Sequence, residues 1–318
     1  MFVLTKIKPI DVRVEMNKAF ADQNLTRQAR QNAVVVAGET LATIQEDKIM
    51  VKEFMDLCEG ANVVLACRVS PKQKAEIVLM MRERQPDKTT LAIGDGANDV
   101  NMITAAHIGV GISGLEGQQA ARSSDYAIGQ FKFLKNLLFF HGREAYRRNS
   151  ISIGYMFYKN ILETIPIYMY GFRSLFSALV IYDQIMYASF NLVFTALPVI
   201  YFATMDYEYP KEVLMNRPLL YRIGLQNLYF SKWAFWRWVI YAFWQGTLIT
   251  FMAFYSCEDY SPDPNGQYSG VWVTGNLIFT MLVIVSNMKI LISSFLISGL
   301  LLFFVIGSVA SYFLVFVL

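Results

Sequence analysis

Cysteine is scarce in this chain: three residues in 318, at positions 58, 67 and 257. They are widely spaced and odd in number, so no disulfide framework can be built from them. Histidine is scarcer still, with two residues, and neither stands near Cys58 or Cys67 to complete a metal set. Those two cysteines therefore read as buried thiols. Charge is also thin, at 17% of residues against 55% hydrophobic and 15% aromatic, which excludes an average soluble domain. A net charge of +3 is too small and too dispersed for nucleic-acid binding. Met1 to Ala19 mixes Lys, Arg, Asp and Glu with apolar residues, which excludes a signal peptide.

What is present is divided unevenly. Most charges precede Asn149 and long apolar runs follow it, so the expected organisation is a cytosolic-type domain over 1–149 and a membrane domain over 150–318. In the first part, residues 16–31 have helical spacing. Short apolar, β-branched runs at 33–39, 62–69, 89–93, 107–112 and 125–128 predict strands, with helices over 48–58, 72–84 and 97–106 between them. Ser70-Pro71 supplies an N-cap and a first-turn proline for the helix that follows. Strands alternating with helices predict a parallel, doubly wound sheet with ligands at the carboxyl ends of its strands.

In the second part, five apolar stretches, 151–171, 185–204, 233–255, 271–292 and 295–318, approach or exceed the ~20 residues needed to cross a bilayer core. Trp and Tyr crowd their ends, as in an interfacial belt. Basic residues before the first stretch (Arg143, Arg147, Arg148) and between the second and third (Lys211, Arg217, Arg222, Lys232) predict the cytoplasmic side. The acidic loop from Cys257 to Pro264 is expected on the other side, and so is the apolar end at Leu318.

The stretch around which the first part is organised is Gly94-Asp-Gly-Ala-Asn-Asp99. A predicted strand ends there in a Gly-rich turn that gathers Asp95, Asn98, Asp99 and backbone N–H groups. Hard oxygen ligands in such a turn suit Mg²⁺, which keeps several waters and needs only one or two carboxylates, and the N–H groups suit a phosphate. A solvated Asp-Gly turn would read the same way. For Lys74, spacing alone favours a solvated charge on an amphipathic helix.

Further motifs follow in a fixed order: Cys67-Arg-Val-Ser-Pro-Lys-Gln-Lys74, Leu91-Ala-Ile-Gly-Asp-Gly-Ala-Asn-Asp-Val100, Gly109-Val-Gly-Ile-Ser-Gly-Leu-Glu-Gly117, Ser124-Asp-Tyr-Ala-Ile128, His141-Gly-Arg143, Phe157-Tyr-Lys-Asn160 and Asn191-Leu-Val-Phe-Thr-Ala-Leu-Pro198. The set resembles the P4 class of P-type ATPases, the phospholipid flippases, strongly over about 62–220. The resemblance implies a haloacid-dehalogenase-like, Rossmann-type phosphorylation domain, present in part, followed by an all-α polytopic membrane domain. It implies Mg²⁺ at Asp95 and Asp99 beside an aspartyl-phosphate, with Asn98 and Asp99 holding the loop, Lys74 neutralising phosphoryl oxygens, and ATP as energy source with Arg68, Lys74 and Asn98 on the cofactor side. It implies a phospholipid substrate in contact with Lys159, Asn160 and Asn191. It further implies a glycosylated two-span accessory β-subunit and a eukaryotic plasma or Golgi/endosomal membrane, with 1–149 cytoplasmic. Lys159 is also open to a plain structural reading, an ion pair with Glu163 one helical turn away.

The Asp-Lys-Thr-Gly-Thr nucleophile signature of that class is absent from the 318 residues, and so are its Thr-Gly-Asp hinge and its dephosphorylation loop. The expectation is therefore a C-terminal portion, inactive by itself. Two other readings remain: a cation-transporting P-type pump, disfavoured because the first span offers only Glu163 and the second has no acid between Asp183 and Asp206, and a catalytically dead pseudo-pump. The chain also departs from the class at Glu144-Ala145, where Trp-Ser is usual, and at Phe176-Ser-Ala-Leu179, where Phe-Ser-Gly-Gln is common.

Overall fold

The computed structural model describes residues 1–25, 32–114, 118–257 and 270–317. The outer loop from Glu258 to Pro264, with Asp263, the end of the predicted 16–31 helix and Leu318 lie outside the described residues. Two compact units divide the chain, 1–134 and 135–318. The division falls before the change of composition near Asn149, because the turn over 137–142 packs with the helical unit.

The first unit runs β1 (Phe2–Leu4), α1 (Pro9–Leu25), β2 (Ala33–Ala37), α2 (Gly38–Glu46), α3 (Lys48–Glu59), β3 (Val63–Cys67), α4 (Pro71–Arg84), β4 (Leu91–Gly94), a 3₁₀ turn (Ala97–Asp99), α5 (Val100–Ala105), β5 (Ile108–Ile112), α6 (Gln119–Arg122) and β6 (Tyr126–Ile128). All pairing is parallel, as strand–helix alternation requires. The expected single doubly wound sheet is not what forms. Among the described residues there are two three-stranded sheets, β1-β2-β3 and β4-β5-β6, and β3 does not pair with β4. Their registers set Val35 against Leu65 and Ala92 against Gly109.

The core of this unit lies around the first sheet, where Leu4, Val34, Val36, Leu41, Ile44 and Leu57 are fully buried. By contrast, Val63, Val64 and Leu65 on β3 are 50%, 39% and 49% exposed. Parallel strands are ordinarily covered on both faces, whereas these apolar side chains are left uncovered by the described residues. Cys67, at the end of β3, is exposed rather than buried, whereas Cys58 on α3 is half-buried.

The second unit begins within α7 (Phe133–Asn136), and a π-helical turn (Leu137–Gly142) then leads into α8 (Arg143–Arg173). Next come α9 (Gln184–Ser189), a second π turn (Phe190–Phe194), α10 (Ala196–Met205), α11 (Lys211–Asn216), a 3₁₀ turn (Pro218–Tyr221), α12 (Arg222–Leu225), α13 (Lys232–Cys257), α14 (Val271–Ser293) and α15 (Gly299–Val317). Among the described residues three helical segments are long and apolar enough to cross a membrane: Gln184–Met205, Val271–Ser293 and Gly299–Val317. The helices α8 and α13, with 31 and 26 residues, are also long enough, but they carry more charged and polar side chains. Within the three apolar segments only 22–44% of each is buried, so much apolar surface faces outward, as lipid permits and water does not.

Aromatic packing holds these helices together. Phe279 meets Tyr182, Phe190, Phe194 and Tyr312, and Tyr158 meets Trp238 edge-on at 5.9 Å.

Candidate functional site

The acidic loop forms where β4 ends. Gly94 is required there, because a Cβ at that position would overlap the side chain of Asp99. Asp99 is nearly buried, and its carboxylate is engaged on both oxygens. Oδ1 receives the Lys74 ammonium at 2.8 Å, and Oδ2 accepts the Asp95 backbone N–H at 3.4 Å. Lys74 is aimed by the start of α4. Ser70 and Gln73 form a reciprocal capping box, and the Gln73 side chain also donates to the Gly38 carbonyl at 2.7 Å. Lys74 is therefore an ion-paired arm of the loop rather than a solvated helix charge.

Asp95 and Asn98 are exposed at the mouth of the loop. Arg68 is exposed too, with a left-handed backbone at φ 54°, and no side-chain hydrogen bond or ion pair joins it to the loop among the described residues. No group of three or more His, Cys, Asp or Glu converges among the described residues. The donor set still fits Mg²⁺, since Asp95 presents an unengaged, exposed carboxylate and that ion is commonly held by one carboxylate plus phosphate and water. Asp99 fits less well as a direct ligand, because Lys74 and the Asp95 N–H already occupy it.

A second polar cluster sits inside the helical unit. Lys159 is 1% exposed and donates to Thr195 Oγ1 at 2.8 Å, and Thr195 donates in turn to the Phe190 carbonyl at 2.8 Å. That carbonyl is available because the Phe190–Phe194 segment is π-helical, which breaks the ordinary ladder. Asn191 donates to Glu163 Oε2 at 3.4 Å, and Asn287 donates to the Phe194 carbonyl at 2.9 Å. The alternative Lys159–Glu163 ion pair does not form within 4 Å among the described residues; each charge has a neutral partner instead. Asn160 points away, on the exposed face of α8. Thr195 lies inside the Asn191–Pro198 motif but is not among the candidate lipid contacts, Asn287 lies outside every motif, and the π turn that recruits Thr195 leaves no periodic trace.

A third cluster gives the basic stretch before the first span a structural role. Arg143 and Arg147, which the sequence marks as a basic cytoplasmic flank, are both buried. Arg147 contacts Glu144 at 3.0 Å and Asp206 at 2.6 Å, while Arg143 contacts Glu144 and, at 2.6 Å, Glu208. The other oxygen of Asp206 accepts the N–H groups of Phe295 and Leu296 at 3.0 and 2.8 Å. The start of α8, the turn after α10 and the turn before α15 are thus tied at one point. Glu144, the departure from the flippase pattern, supplies the carboxylate between the two guanidiniums.

An α/β unit with a lysine-clasped acidic loop is thus followed by a helical unit in which three segments are long and apolar enough to cross a bilayer. The profile for the phospholipid-translocating P-type ATPase C-terminal region matches residues 121–318, and the chain belongs to that family. It is 38% identical over 263 residues to human phospholipid-transporting ATPase IH, covering 80% of this chain and 23% of that protein. With human phospholipid-transporting ATPase ID it shares 39% identity over 285 residues, 90% of this chain and 23% of the relative. With the probable phospholipid-transporting ATPase 11 of Arabidopsis thaliana it shares 40% over 261 residues, 81% and 21%. The chain thus spans less than a quarter of the length of these relatives.

Proposed function

We propose that this chain is the C-terminal part of an ATP-driven phospholipid flippase working through an aspartyl-phosphate cycle, with the nucleophile on sequence outside these 318 residues. The observation that carries the reading is the Lys74–Asp99 contact at 2.8 Å behind an open Asp95. Phosphoryl transfer needs positioning and charge neutralisation more than covalent chemistry from the protein. Asp99 holds the Lys74 ammonium at the loop, Asp95 would hold Mg²⁺, and Asn98 offers an exposed amide to a phosphate. When bound, the metal would offset negative charge on the phosphoryl group.

The uncovered edges of β3 and β4 support the same reading. A single haloacid-dehalogenase-like sheet would be completed by strands added between them, and the nucleophile would then arrive beside Asp95. In the helical unit, the reading places the lipid phosphate near Lys159, with Asn191 at the open side and Asn160 on a separate exposed face. Residues 1–149 and the 205–232 loop would be cytoplasmic, and a two-span accessory subunit would accompany the protein. The cation-pump alternative gains nothing, since among the described residues Glu163 is the only acid in the buried polar cluster around Lys159.

The test is ATP-dependent movement of a fluorescent glycerophospholipid across vesicles by the whole protein that carries this segment. Movement is expected, and it is expected to stop in Asp95→Asn. Transport unchanged in that variant, or no transport of any glycerophospholipid, overturns the reading.

A further inference from the structure

The helices α8 and α13 run side by side in the same direction, with Gly154 against Trp238, Ile165 against Gly246 and Tyr170 against Phe254. They meet through small residues: Ala242, Gly246, Thr250 and Ala253 are the buried positions along α13, and a Cβ at Gly246 would lie 3.0 Å from the Ile165 side chain. Close backbones of this kind leave the large side chains to flare out beside the contact. Near the C-terminal ends of both helices they enclose a groove of about 830 Å³, a volume ordinary for a small-molecule site. Its walls are flat and apolar. Phe172 from α8 and Phe243, Phe251 and Phe254 from α13 present rings to it, and the first three of these are more than half exposed. Charge enters at one end. Arg173, the last residue of α8, is the one charged side chain on the described lining, and its guanidinium sits over the Phe254 ring at 4.8 Å. With 31 residues, α8 extends about 46 Å against ~30 Å of hydrocarbon, so Arg173 stands at the interface and Ile165 roughly 12 Å deeper.

We propose that this groove binds a sterol, with the sterol hydroxyl at Arg173 and the ring faces against Phe251 and Phe254. The inference goes beyond lipid transport and requires only that α8 and α13 span a bilayer. Three observations favour a sterol over an acyl chain. Flat aromatic walls complement a fused ring system, and a rigid ligand gives up little conformational freedom on binding, whereas an acyl chain must be ordered bond by bond. The single charged end matches one small polar head at the interface. A guanidinium carries several N–H donors, so one already engaged can still donate to a hydroxyl oxygen. Leu162, Tyr168 and Arg173 also stand in the order and spacing proposed for sterol contact: an aliphatic residue, then Tyr, then Lys or Arg. That pattern recurs widely in apolar sequences, but here Tyr168 and Arg173 both line the groove.

The experiment is photolabelling of the whole protein that carries this segment, in phosphatidylcholine vesicles containing a diazirine-bearing cholesterol. Label is expected on peptides covering 165–173 and 243–255, and an excess of unlabelled cholesterol should remove it. Cholestane, which keeps the rings but lacks the oxygen, should need about tenfold more to compete, as the loss of one charge-assisted hydrogen bond implies. The same amount of lysophosphatidylcholine, which offers an acyl chain, should leave the label in place. Phe251→Ala and Arg173→Gln should each reduce labelling; should either fail to fold, the competitor series on the unaltered protein still decides. No label on these peptides, label that excess cholesterol does not remove, cholestane competing as well as cholesterol, or displacement by lysophosphatidylcholine overturns the inference. So does normal labelling of a folded Phe251→Ala or Arg173→Gln protein. None of these outcomes touches the transport reading, which stands or falls on Asp95→Asn.

Discussion

Lys74 on α4 and Asp99 after β4 meet at 2.8 Å, across 25 residues of sequence. The contact joins the two halves of the acidic loop's environment, and each of its parts has its own expected failure. In the whole protein, Asp95→Asn should abolish turnover while leaving the fold unchanged, because Asp95 is exposed. Gly94→Ala should lose turnover by another route, since its methyl group would displace the Asp99 side chain and with it Lys74. Phosphoenzyme labelling together with circular dichroism checks both: a Gly94→Ala protein that turns over normally would show that the loop does not need Asp99 where it stands.

Arg147 and Asp206 are each about 1% exposed at the side chain and pair at 2.6 Å. Removing one partner strands the other charge, which costs about 3–5 kcal/mol for a buried pair. Arg147→Met and Asp206→Asn should therefore each lower the thermal midpoint of the detergent-solubilised protein markedly. The double variant should lose less than the sum of the two. Additive losses would mean that the pair is not coupled.

Cys58 differs from Cys67 through burial. Burial pushes the Cys58 thiol from 9.0 up to about 12, while Cys67 is exposed. A maleimide at neutral pH should label Cys67 rapidly and reach Cys58 only on unfolding. A raised thiol pKa favours the protonated native state, so its contribution is complete below about pH 9, the unfolded value, and is lost as pH rises toward 12. Denaturant titrations of the native protein and of Cys58→Ala across that range should converge as pH rises.

Gly275 on α14 faces the backbone carbonyl of Ile181, and a Cβ there would overlap it. A carbonyl cannot rotate aside as a side-chain tip can. Gly275→Ala should cost roughly 1–3 kcal/mol, the range for an overpacked core, read as a lower thermal midpoint in detergent.

Sidedness follows from the basic loop after α10. A cysteine placed at Arg217 should be labelled from the cytosolic side, and one placed at Leu175, 87% exposed in the turn after α8, from the opposite side. The reverse pattern would invert the orientation.

The sequence by itself determined whatever local chemistry dictates. Ser70 and Pro71 start α4 because a cap and a preset φ act within one turn, and strand–helix alternation permits only parallel pairing. Apolar length marked the Gln184–Met205, Val271–Ser293 and Gly299–Val317 segments, since a bilayer imposes its thickness on any chain that crosses it. The acidic turn was legible as a turn, but its glycines and carboxylates read equally as a solvated Asp-Gly turn without their neighbours. What only the tertiary structure decided are partnerships between distant residues. Lys74 looked like a solvated charge until α4 was laid beside β4. Arg143 and Arg147 read as a basic flank, and only the tertiary structure shows that Glu208 and Asp206 pair with them. Lys159 had a natural i+4 partner in Glu163, but the π turn at Phe190–Phe194 carried Thr195 to it instead. A buried charge takes the best dipole that packing delivers, and packing is set by contacts too far apart in sequence to leave a periodic mark.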